Sequence, residues 1–442
     1  MKTAWKKTTA AVMAALLAFA AAGCGGGDNK AADSGSAAAK DTLKIGVYRC
    51  ADSLEPTEEC GGQTLMRYGV GETLARFDKK MNVTPWLAER WEMGGDQLTW
   101  TFTVNGRAVF SNGNRVTGDA VAQSLRRAID KSSRARALLA CESVRGEGQR
   151  VIIRTKRPVP TLPALLGHPF FMIVDTSVKD RDYGKQGPVG TGPNVVRSFT
   201  GETCVLERNE TYWNGKAPFR RLEIPAYDDP HARAMALRKG EIDVAVNVAA
   251  GDLPLFRDAK KYRVSEIDSL RVVLARLNVQ NGRPLADQRL REALACASDL
   301  LLRNTFIPGG PMLPPALGYG YADLVKQDRN QYNMDRARQL LKEAGWKDTN
   351  GDGIVDKDGK NLELDCLYCS SRGELPLFAE ATRSDARKVG IRVNLKNVAC
   401  SAFEKLVRDG DYDLCIENAL TVQGDTEVFM NRYLQSGSNG WD

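Results

Sequence analysis

Histidine is almost absent from this sequence, which has only His168 and His231. Two imidazoles argue against a histidine-rich metal site or acid–base centre. Aromatic residues make up only 7%, and no block of Lys and Arg is interleaved with them, so the usual pattern of a nucleic-acid-binding surface is missing. The Gly-x-Ser-x-Gly and HExxH motifs of two hydrolase classes are missing as well. We therefore expect no nucleic-acid partner, no catalytic site, no bound metal and no cofactor.

Long apolar runs are also missing, except for one near the start. Residues 10–22 are apolar and follow several lysines, but the run falls short of the ~20 residues that a membrane-spanning helix needs. Small residues then lead into Cys24, an arrangement that resembles a bacterial lipobox. The resemblance implies a lipoprotein signal peptide over residues 1–23, cleavage before Cys24 and lipidation of its thiol. The alternative is an ordinary signal peptide that happens to contain a cysteine.

The segment after the apolar run is rich in Gly, Ala and Ser. Residues 24–41 show no apolar period, which is typical of a flexible tether. Together with acyl chains on Cys24, this tether predicts a globular body that is held at the membrane but not in it. We expect a location in the cell envelope, facing outside the cytoplasm.

The rest of the chain has the composition of a globular protein. Its 442 residues are 43% hydrophobic and 26% charged, with a formal net charge of +7, which is mild for this length. At roughly 150 residues per domain, the length predicts two or three domains.

Nine cysteines follow Cys24, and their pairing is ambiguous. An exported chain favours disulfides, but nine is an odd number, so at least one thiol is unpaired within a monomer. Cys50 and Cys60 flank one loop and could close it. Cys366 and Cys369 are three positions apart in an alternating segment, so on a strand they point to opposite faces and are a poor metal site. For most of the nine we favour buried free thiols that pack as small apolar residues.

Apolar periodicity predicts alternating strands and helices. The predicted strands are 43–48, 97–104, 149–155, 170–174, 204–208, 220–226, 242–246, 271–279, 362–369, 390–396 and 411–417. The predicted helices are 64–76, 118–130, 230–239, 287–305, 334–344, 376–389 and 400–409. The simplest division is two mixed α/β bodies that meet near residues 270–280.

Nine short phrases resemble the family 5 extracytoplasmic solute-binding proteins of ABC importers, which serve peptide, nickel and related systems. They occur in family order: 71–74 (GETL), 85–91 (PWLAERW), 98–104 (LTWTFTV), 110–113 (FSNG), 190–193 (GTGP), 208–213 (RNETYW), 240–243 (GEID), 289–294 (RLREAL) and 340–346 (LLKEAGW). Most of these residues have local packing explanations and identify the scaffold without naming a ligand.

The resemblance implies an α/β fold of the two-lobed periplasmic-binding-protein type (type II, cluster C-like), with a ligand cleft between the lobes. Lobe I with its extra subdomain would cover residues 42–270, and lobe II residues 271–442, with 271–279 as the first crossing strand. Family members continue past the position of Asp442 and cross back, so we expect the return to lobe I to be missing and the chain to be truncated.

Two residues of the N-terminal half match cleft positions of the nickel-binding branch. The resemblance implies that Arg134 salt-bridges the carboxylates of a metal chelate, which suits a guanidinium fork. Trp100 aligns with a cleft aromatic of the same branch. The alternatives are a solvated Lys/Arg run for Arg134 and core packing for Trp100.

A second candidate region lies near the end of the chain. Leu420 and Val422 stand near the places where peptide binders of the family carry a Trp-x-x-Asp pattern, so the site for a peptide amine is absent. Nickel binders carry a His at the place of Glu417, which could instead pair a cationic ligand group or face solvent. Asn418 and Thr421 complete this set of candidate ligand-binding residues.

Residues 348–356 resemble a short calcium loop. The candidate ligands are Asp348, Asn350, Asp352 and Asp356, but the Glu expected at position 12 of such a loop is Gly359. The same Asn-Gly and Asp-Gly pairs also build ordinary hairpin turns, which we favour.

The resemblance implies a non-enzymatic, monomeric protein that captures a small solute, a metal chelate or an oligopeptide, and delivers it to ABC permease and ATPase subunits. A ligand sensor or chaperone of the same fold, or a non-functional truncated remnant, is the alternative.

Overall fold

The structure, a computed structural model, describes residues 41–298, 332–369 and 373–420, apart from Glu59 and Asp268. The predicted signal peptide, Cys24 and most of the tether lie outside these ranges, as does the end of the helix predicted over 287–305.

Seventeen strands and ten α-helices are described. The strands are β1 (Thr42–Gly46), β2 (Ala75–Phe77), β3 (Val83–Pro85), β4 (Ala88–Met93), β5 (Thr99–Val104), β6 (Cys141–Glu147), β7 (Arg150–Thr155), β8 (Asn194–Phe199), β9 (Thr203–Arg208), β10 (Arg221–Pro225), β11 (Val244–Ala245), β12 (Arg271–Leu277), β13 (Asp356–Lys357), β14 (Lys360–Asn361), β15 (Glu363–Tyr368), β16 (Arg392–Asn397) and β17 (Leu414–Leu420). The helices are α1 (Gly61–Arg67), α2 (Gly118–Lys131), α3 (Ser133–Leu138), α4 (Leu162–Leu165), α5 (Tyr183–Gln186), α6 (Pro230–Lys239), α7 (Gln288–Ala297), α8 (Met334–Glu343), α9 (Glu374–Arg387) and α10 (Cys400–Asp409). Three 3₁₀ helices join them: Pro169–Phe171, Ala250–Phe256 and Pro284–Ala286.

The strands form three larger sheets. One has the order β11-β1-β10-β9-β8, with β1 parallel to both β10 and β11. A second, β4-β5-β7-β6, is antiparallel throughout. The third, β12-β17-β15-β16, joins an antiparallel pair of strands, β12 and β17, to the parallel strands β15 and β16. Each sheet uses strands from only one side of residue 270, in line with the two predicted bodies, whose boundaries stay a prediction.

Helix α2 shows how the sequence builds these layers. Thr117 caps its N-terminus by accepting a hydrogen bond from the Ala120 N–H at 3.2 Å. Val121, Leu125 and Ala128 repeat at helical spacing and are buried. They share one apolar core with Phe102 and Ile153 of the antiparallel sheet. Helices α7, α8 and α9 cover the third sheet in the same way.

Two predicted elements are wrong. The helix predicted over 64–76 spans Gly61–Arg67, because Gly69 turns into the left-handed region (φ +66°) and the chain enters β2 by Ala75. Residues 170–174 are not a strand. A 3₁₀ helix ends at Phe171, and the extended run after it makes only scattered hydrogen bonds, such as Ile173 N–H to the Glu72 carbonyl at 2.8 Å.

Most of the described cysteines are free thiols, as predicted. Cys50 and Cys60 are both free, so the expectation that they could close a loop is wrong. Cys369, in contrast, is disulfide-bonded. Burial raises the pKa of Cys366 to about 12, which keeps this thiol protonated and unreactive.

In the described part of the chain, no helix is long and apolar enough to cross a membrane.

Candidate functional site

Trp100 lies on β5 and is 7% exposed. Its ring stacks on Phe102, with centroids 6.1 Å apart, and the two belong to one apolar core. The indole Nε1–H is buried and has no hydrogen-bond partner among the described residues. A buried donor without a partner is costly, so this N–H could serve an incoming acceptor. The side chain packs in the core, and its role as a ligand contact stays a prediction.

Arg134 lies in the first turn of α3. Ser132 caps this helix by accepting a hydrogen bond from the Ala135 N–H at 3.3 Å. Ala135 is fully buried and belongs to the same core as Trp100, whereas Arg134 is exposed. The helix is therefore anchored on the core of the β5 sheet, while Arg134 itself lies at the surface. This placement suits the predicted binding of a carboxylate, which stays a prediction.

Glu417 lies on β17, opposite Leu274 of the antiparallel strand β12. It is 7% exposed, so the alternative that it faces solvent is wrong. Its Oε1 accepts a 2.7 Å hydrogen bond from Nε of Arg276, whose side chain is also largely buried. The cation that this carboxylate pairs with thus belongs to the protein itself.

Asn418 is engaged in a similar way, but on the other face of the same pair of strands. Its Oδ1 accepts a hydrogen bond from Nη1 of Arg271 on β12. Both described candidates on β17 are therefore bonded to arginines of β12. Neither belongs to the apolar core that contains Trp100. Thr421 lies outside the described residues.

The sequence analysis did not identify Arg276 as the partner of Glu417, although the sequence of β12 contains one indication of it. After Arg271, the apolar run of β12 is interrupted by one further arginine, Arg276, and strand pairing brings it near the only acidic residue of β17. Register could not be read from the sequence, so neither could the ion pair.

Neither histidine is placed as a metal ligand or general base. His168 Nδ1 accepts a hydrogen bond from the Phe170 N–H at 3.1 Å, and burial lowers the pKa of this imidazole to about 4. His231 is exposed and pairs with Asp252 at 2.8 Å. The hydrogen bond and the charge of Asp252 raise the pKa of His231.

The calcium-like loop is a set of turns closed by a hairpin. The Asp348 carboxylate accepts hydrogen bonds from the Gly351 and Gly353 N–H groups at 2.7 and 2.9 Å. Asp356 accepts from the backbone and hydroxyl of Thr349, both at 2.7 Å, and lies in β13, which pairs with β14. The predicted hairpin is confirmed. Over the described ranges, no group of three or more His, Cys, Asp or Glu side chains could hold a metal ion.

A buried carboxylate ties several of the nine phrases together. Glu72 is 7% exposed and accepts four hydrogen bonds from neutral donors. The donors are Trp86 Nε1 (3.0 Å), Tyr212 OH (2.6 Å), Thr191 Oγ1 (2.8 Å) and Trp213 Nε1 (2.9 Å). Burial and the hydrogen bond to Glu72 both raise the pKa of Tyr212. This Glu72 cluster is scaffold, as expected for these phrases.

The sheet that contains β1 has a polar edge where its parallel strands end. The chain leaves β1 towards Tyr48, β10 towards Tyr227 and β11 towards Asn247. In open α/β sheets, ligands bind outside the carboxyl ends of the parallel strands. This edge is therefore a further part of the candidate site, and no sequence motif marks it.

Residues 82–441 match the protein family described as bacterial extracellular solute-binding proteins, family 5 Middle. The nickel-binding periplasmic protein of Escherichia coli (strain K12) is 26% identical over 416 residues, which cover 89% of this chain and 78% of that protein. The oligopeptide-binding protein AppA of Bacillus subtilis (strain 168) is 25% identical over 386 residues, which cover 81% of this chain and 69% of that protein.

Solved structures show the same fold. The crystal structure of NikA from Staphylococcus aureus in complex with Ni(L-His)2 superposes with a TM-score of 0.72, at 22% identity, over 91% of this chain and 84% of that one. At this level of identity the likeness concerns the fold alone.

Proposed function

The chain belongs to family 5 of the bacterial extracellular solute-binding proteins, and on that premise we propose that its solute is a metal chelate that carries carboxylate groups, which it delivers to an ABC permease and its ATPase subunits. The predicted family, the two-lobed type II periplasmic-binding-protein fold and the substrate-binding role are confirmed. The class of solute, the permease partner, the monomeric state and the absence of catalysis belong to the proposal.

The observation that carries the proposal is the placement of Arg134. A short helix anchored by buried Ala135 holds Arg134 at the surface. Guanidinium binds a carboxylate through two parallel hydrogen bonds, and carboxylates are the anionic groups of organic metal chelators.

The local interactions of the two histidines favour a chelate over a bare metal ion as the solute. His168 caps a 3₁₀ helix through Nδ1, and His231 is paired with Asp252. Both imidazoles are thus engaged in local structure. A chelate brings most of its own metal ligands and asks the protein chiefly for charge and shape.

The test is a tryptophan-fluorescence titration of the chain with three probes: Ni(L-His)2, NiCl2 alone and trialanine. We expect saturable binding of Ni(L-His)2, little response to NiCl2, and a Kd that rises about tenfold in Arg134→Met, as loss of a charge-assisted contact predicts.

The matched control is Arg136→Met, because Arg136 is an exposed arginine of the same helix whose Nη2 bonds the Asp130 carbonyl. It should bind like the wild type. Binding of trialanine without Ni(L-His)2 would reject the chelate and place the chain with the peptide binders. Equal losses in both variants would reject a specific role of Arg134.

We also propose that the chain is anchored in the envelope by lipid on Cys24 after removal of residues 1–23. The apolar run before this cysteine and the small residues that flank it support the anchor. In Triton X-114 phase separation, the protein from an intact host should enter the detergent phase and Cys24→Ser the aqueous phase. Wild-type protein in the aqueous phase would reject the anchor.

A further inference from the structure

We infer that Arg233 is a positioning residue that holds together the two loops leaving β10 and β11 at the edge of the sheet where a solute would bind. Arg233 lies in α6 and is 2% exposed, among the most buried large side chains described. Its Nη1 donates to the Tyr227 carbonyl at 2.6 Å and its Nη2 to the Asn247 carbonyl at 2.7 Å. One planar group therefore bonds the backbones of both loops.

These two side-chain hydrogen bonds lie next to the last backbone hydrogen bonds between the parallel strands of the sheet. The last ladder bonds here join Tyr227 N–H to the Val47 carbonyl at 2.8 Å and Val246 N–H to the Gly46 carbonyl at 3.0 Å. One residue later, Asn247 turns into the left-handed region with φ +56°. Outside glycine that conformation is uncommon, although Asn adopts it more readily than most residues, and a hydrogen bond to its backbone helps to hold it in place. The Nη2 bond to the Asn247 carbonyl supplies such a hold.

The stem of the same side chain packs against the end of the third parallel strand. A Cβ added at Gly46, the last residue of β1, would lie 3.3 Å from Cγ of Arg233 and 2.5 Å from Cδ1 of Ile242. A side chain at this position would require Ile242 to move. Arg233 thus contacts the carboxyl ends of β1, β10 and β11 together.

Arg233 is a buried charged residue, and its two hydrogen bonds to carbonyls compensate part of the cost of burying it. Burial lowers its pKa, which the charge of Asp229 only partly opposes. No carboxylate of the described residues forms an ion pair with it within 4.0 Å, and its Nε has no hydrogen-bond partner there. Helix packing alone would be served better by an apolar side chain, because burying an unpaired charge is expensive. The two carbonyls explain why an arginine, with its fixed fork, occupies this position.

The loops that Arg233 joins carry polar groups at the surface. Asp228, Asp229 and Asn247 are exposed, and they follow the carboxyl ends of parallel strands, where α/β sheets bind ligands. The inference rests on the solute-binding role of the family and holds for a chelate or a peptide alike.

Hydrogen–deuterium exchange of the full chain without added solute tests this role. The variants are Arg233→Met, which keeps a long stem but no donors, and Arg233→Lys, which keeps the charge but not the fork. We expect the amides of residues 227–229 and 247–249 to exchange about tenfold faster in both variants, while the amides of β5 keep their wild-type rates. Arg238→Met, at an exposed arginine of the same helix, is the control and should change neither loop.

Three outcomes would overturn the inference. They are unchanged exchange in both loops, faster exchange in only one loop, or an equal rise over the whole chain including β5, which would make Arg233 a general stabilising residue. If Arg233→Met does not fold, Arg233→Lys decides alone. Because the measurement needs no solute, its result is independent of the chelate proposal.

Discussion

The Glu72 carboxylate accepts a 2.6 Å hydrogen bond from the Tyr212 hydroxyl, across 140 positions of sequence. Tyr212 and Trp213 come from one sequence phrase, Trp86 from another and Thr191 from a third, and all donate to this carboxylate. Four neutral donors fill the lone pairs of a buried anion, so it is stable without a cation. Four of the nine phrases that resemble the family therefore meet in one hydrogen-bond cluster.

Glu72→Gln should destabilise the fold by about 2–4 kcal/mol, because the new NH₂ group faces two donors that lose their acceptor. Urea unfolding at neutral pH gives the free energy. Glu241→Gln, at an exposed glutamate, is the control and should change it by less than about 0.5 kcal/mol. Equal effects of the two substitutions would contradict a special role of the buried carboxylate.

Gly190→Ala should be strongly destabilising, since a Cβ there would lie 2.2 Å from the Val70 carbonyl oxygen. Backbone cannot move aside as a flexible side chain does, so we expect a loss of about 2–3 kcal/mol in thermal or urea unfolding. Gly95→Ala is the matched control, because no atom lies within 4 Å of the added Cβ, and it should leave the free energy of unfolding nearly unchanged. A neutral Gly190→Ala would show that the approach of these two segments is looser than described.

The pair formed by Arg276 and Glu417 should behave as a buried ion pair in a double-mutant cycle. Arg276→Met or Glu417→Met alone leaves the partner charge uncompensated in the interior and should cost about 3–5 kcal/mol. Arg276→Met combined with Glu417→Met should recover much of that loss in urea unfolding. Additive losses would mean that the two side chains do not stabilise each other.

Acid should destabilise the protein partly through His168. Burial lowers the pKa of this imidazole from 6.5 to about 4, so the unfolded chain binds a proton at a pH where the folded chain does not. The contribution is fully present above pH 6.5 and is lost as the pH falls through that range towards about 4. The loss should approach about 3 kcal/mol, since every tenfold change in proton affinity corresponds to about 1.4 kcal/mol.

His168→Asn is the matched variant for this pH dependence. It keeps an acceptor for the Phe170 N–H but does not titrate in this range. Its stability, measured by urea unfolding between pH 7 and 4, should fall less steeply than that of the wild type. Parallel curves would show that the pKa of His168 does not differ between the folded and unfolded states.

Much of the architecture could be predicted from local pattern. Alternation in β5 and helical spacing in α2 and α8 predicted these elements to within a few residues, because one face of each is buried. The same reasoning failed at residues 68–76 and 170–174. At the first place the helix ends locally, because Gly69 adopts a left-handed conformation and the Val70 N–H bonds back to the Leu65 carbonyl. At the second, the long-range hydrogen bond from the Ile173 N–H to the Glu72 carbonyl helps to set the backbone path, not a local apolar period.

The candidate site also has features that the local sequence predicts and features that depend on tertiary packing. The sequence by itself determined the family, the α/β class and the strand positions of Trp100 and Glu417, since these depend on residue order and short-range periodicity, whereas the helix that carries Arg134 was not predicted. Only the tertiary structure decided that Trp100 lies in the core, that Glu417 is paired with Arg276, and that Arg233 joins two loops. Each of these outcomes depends on which distant segments pack together. The packing is set by the free energy of the whole chain, so no local sequence pattern reveals it.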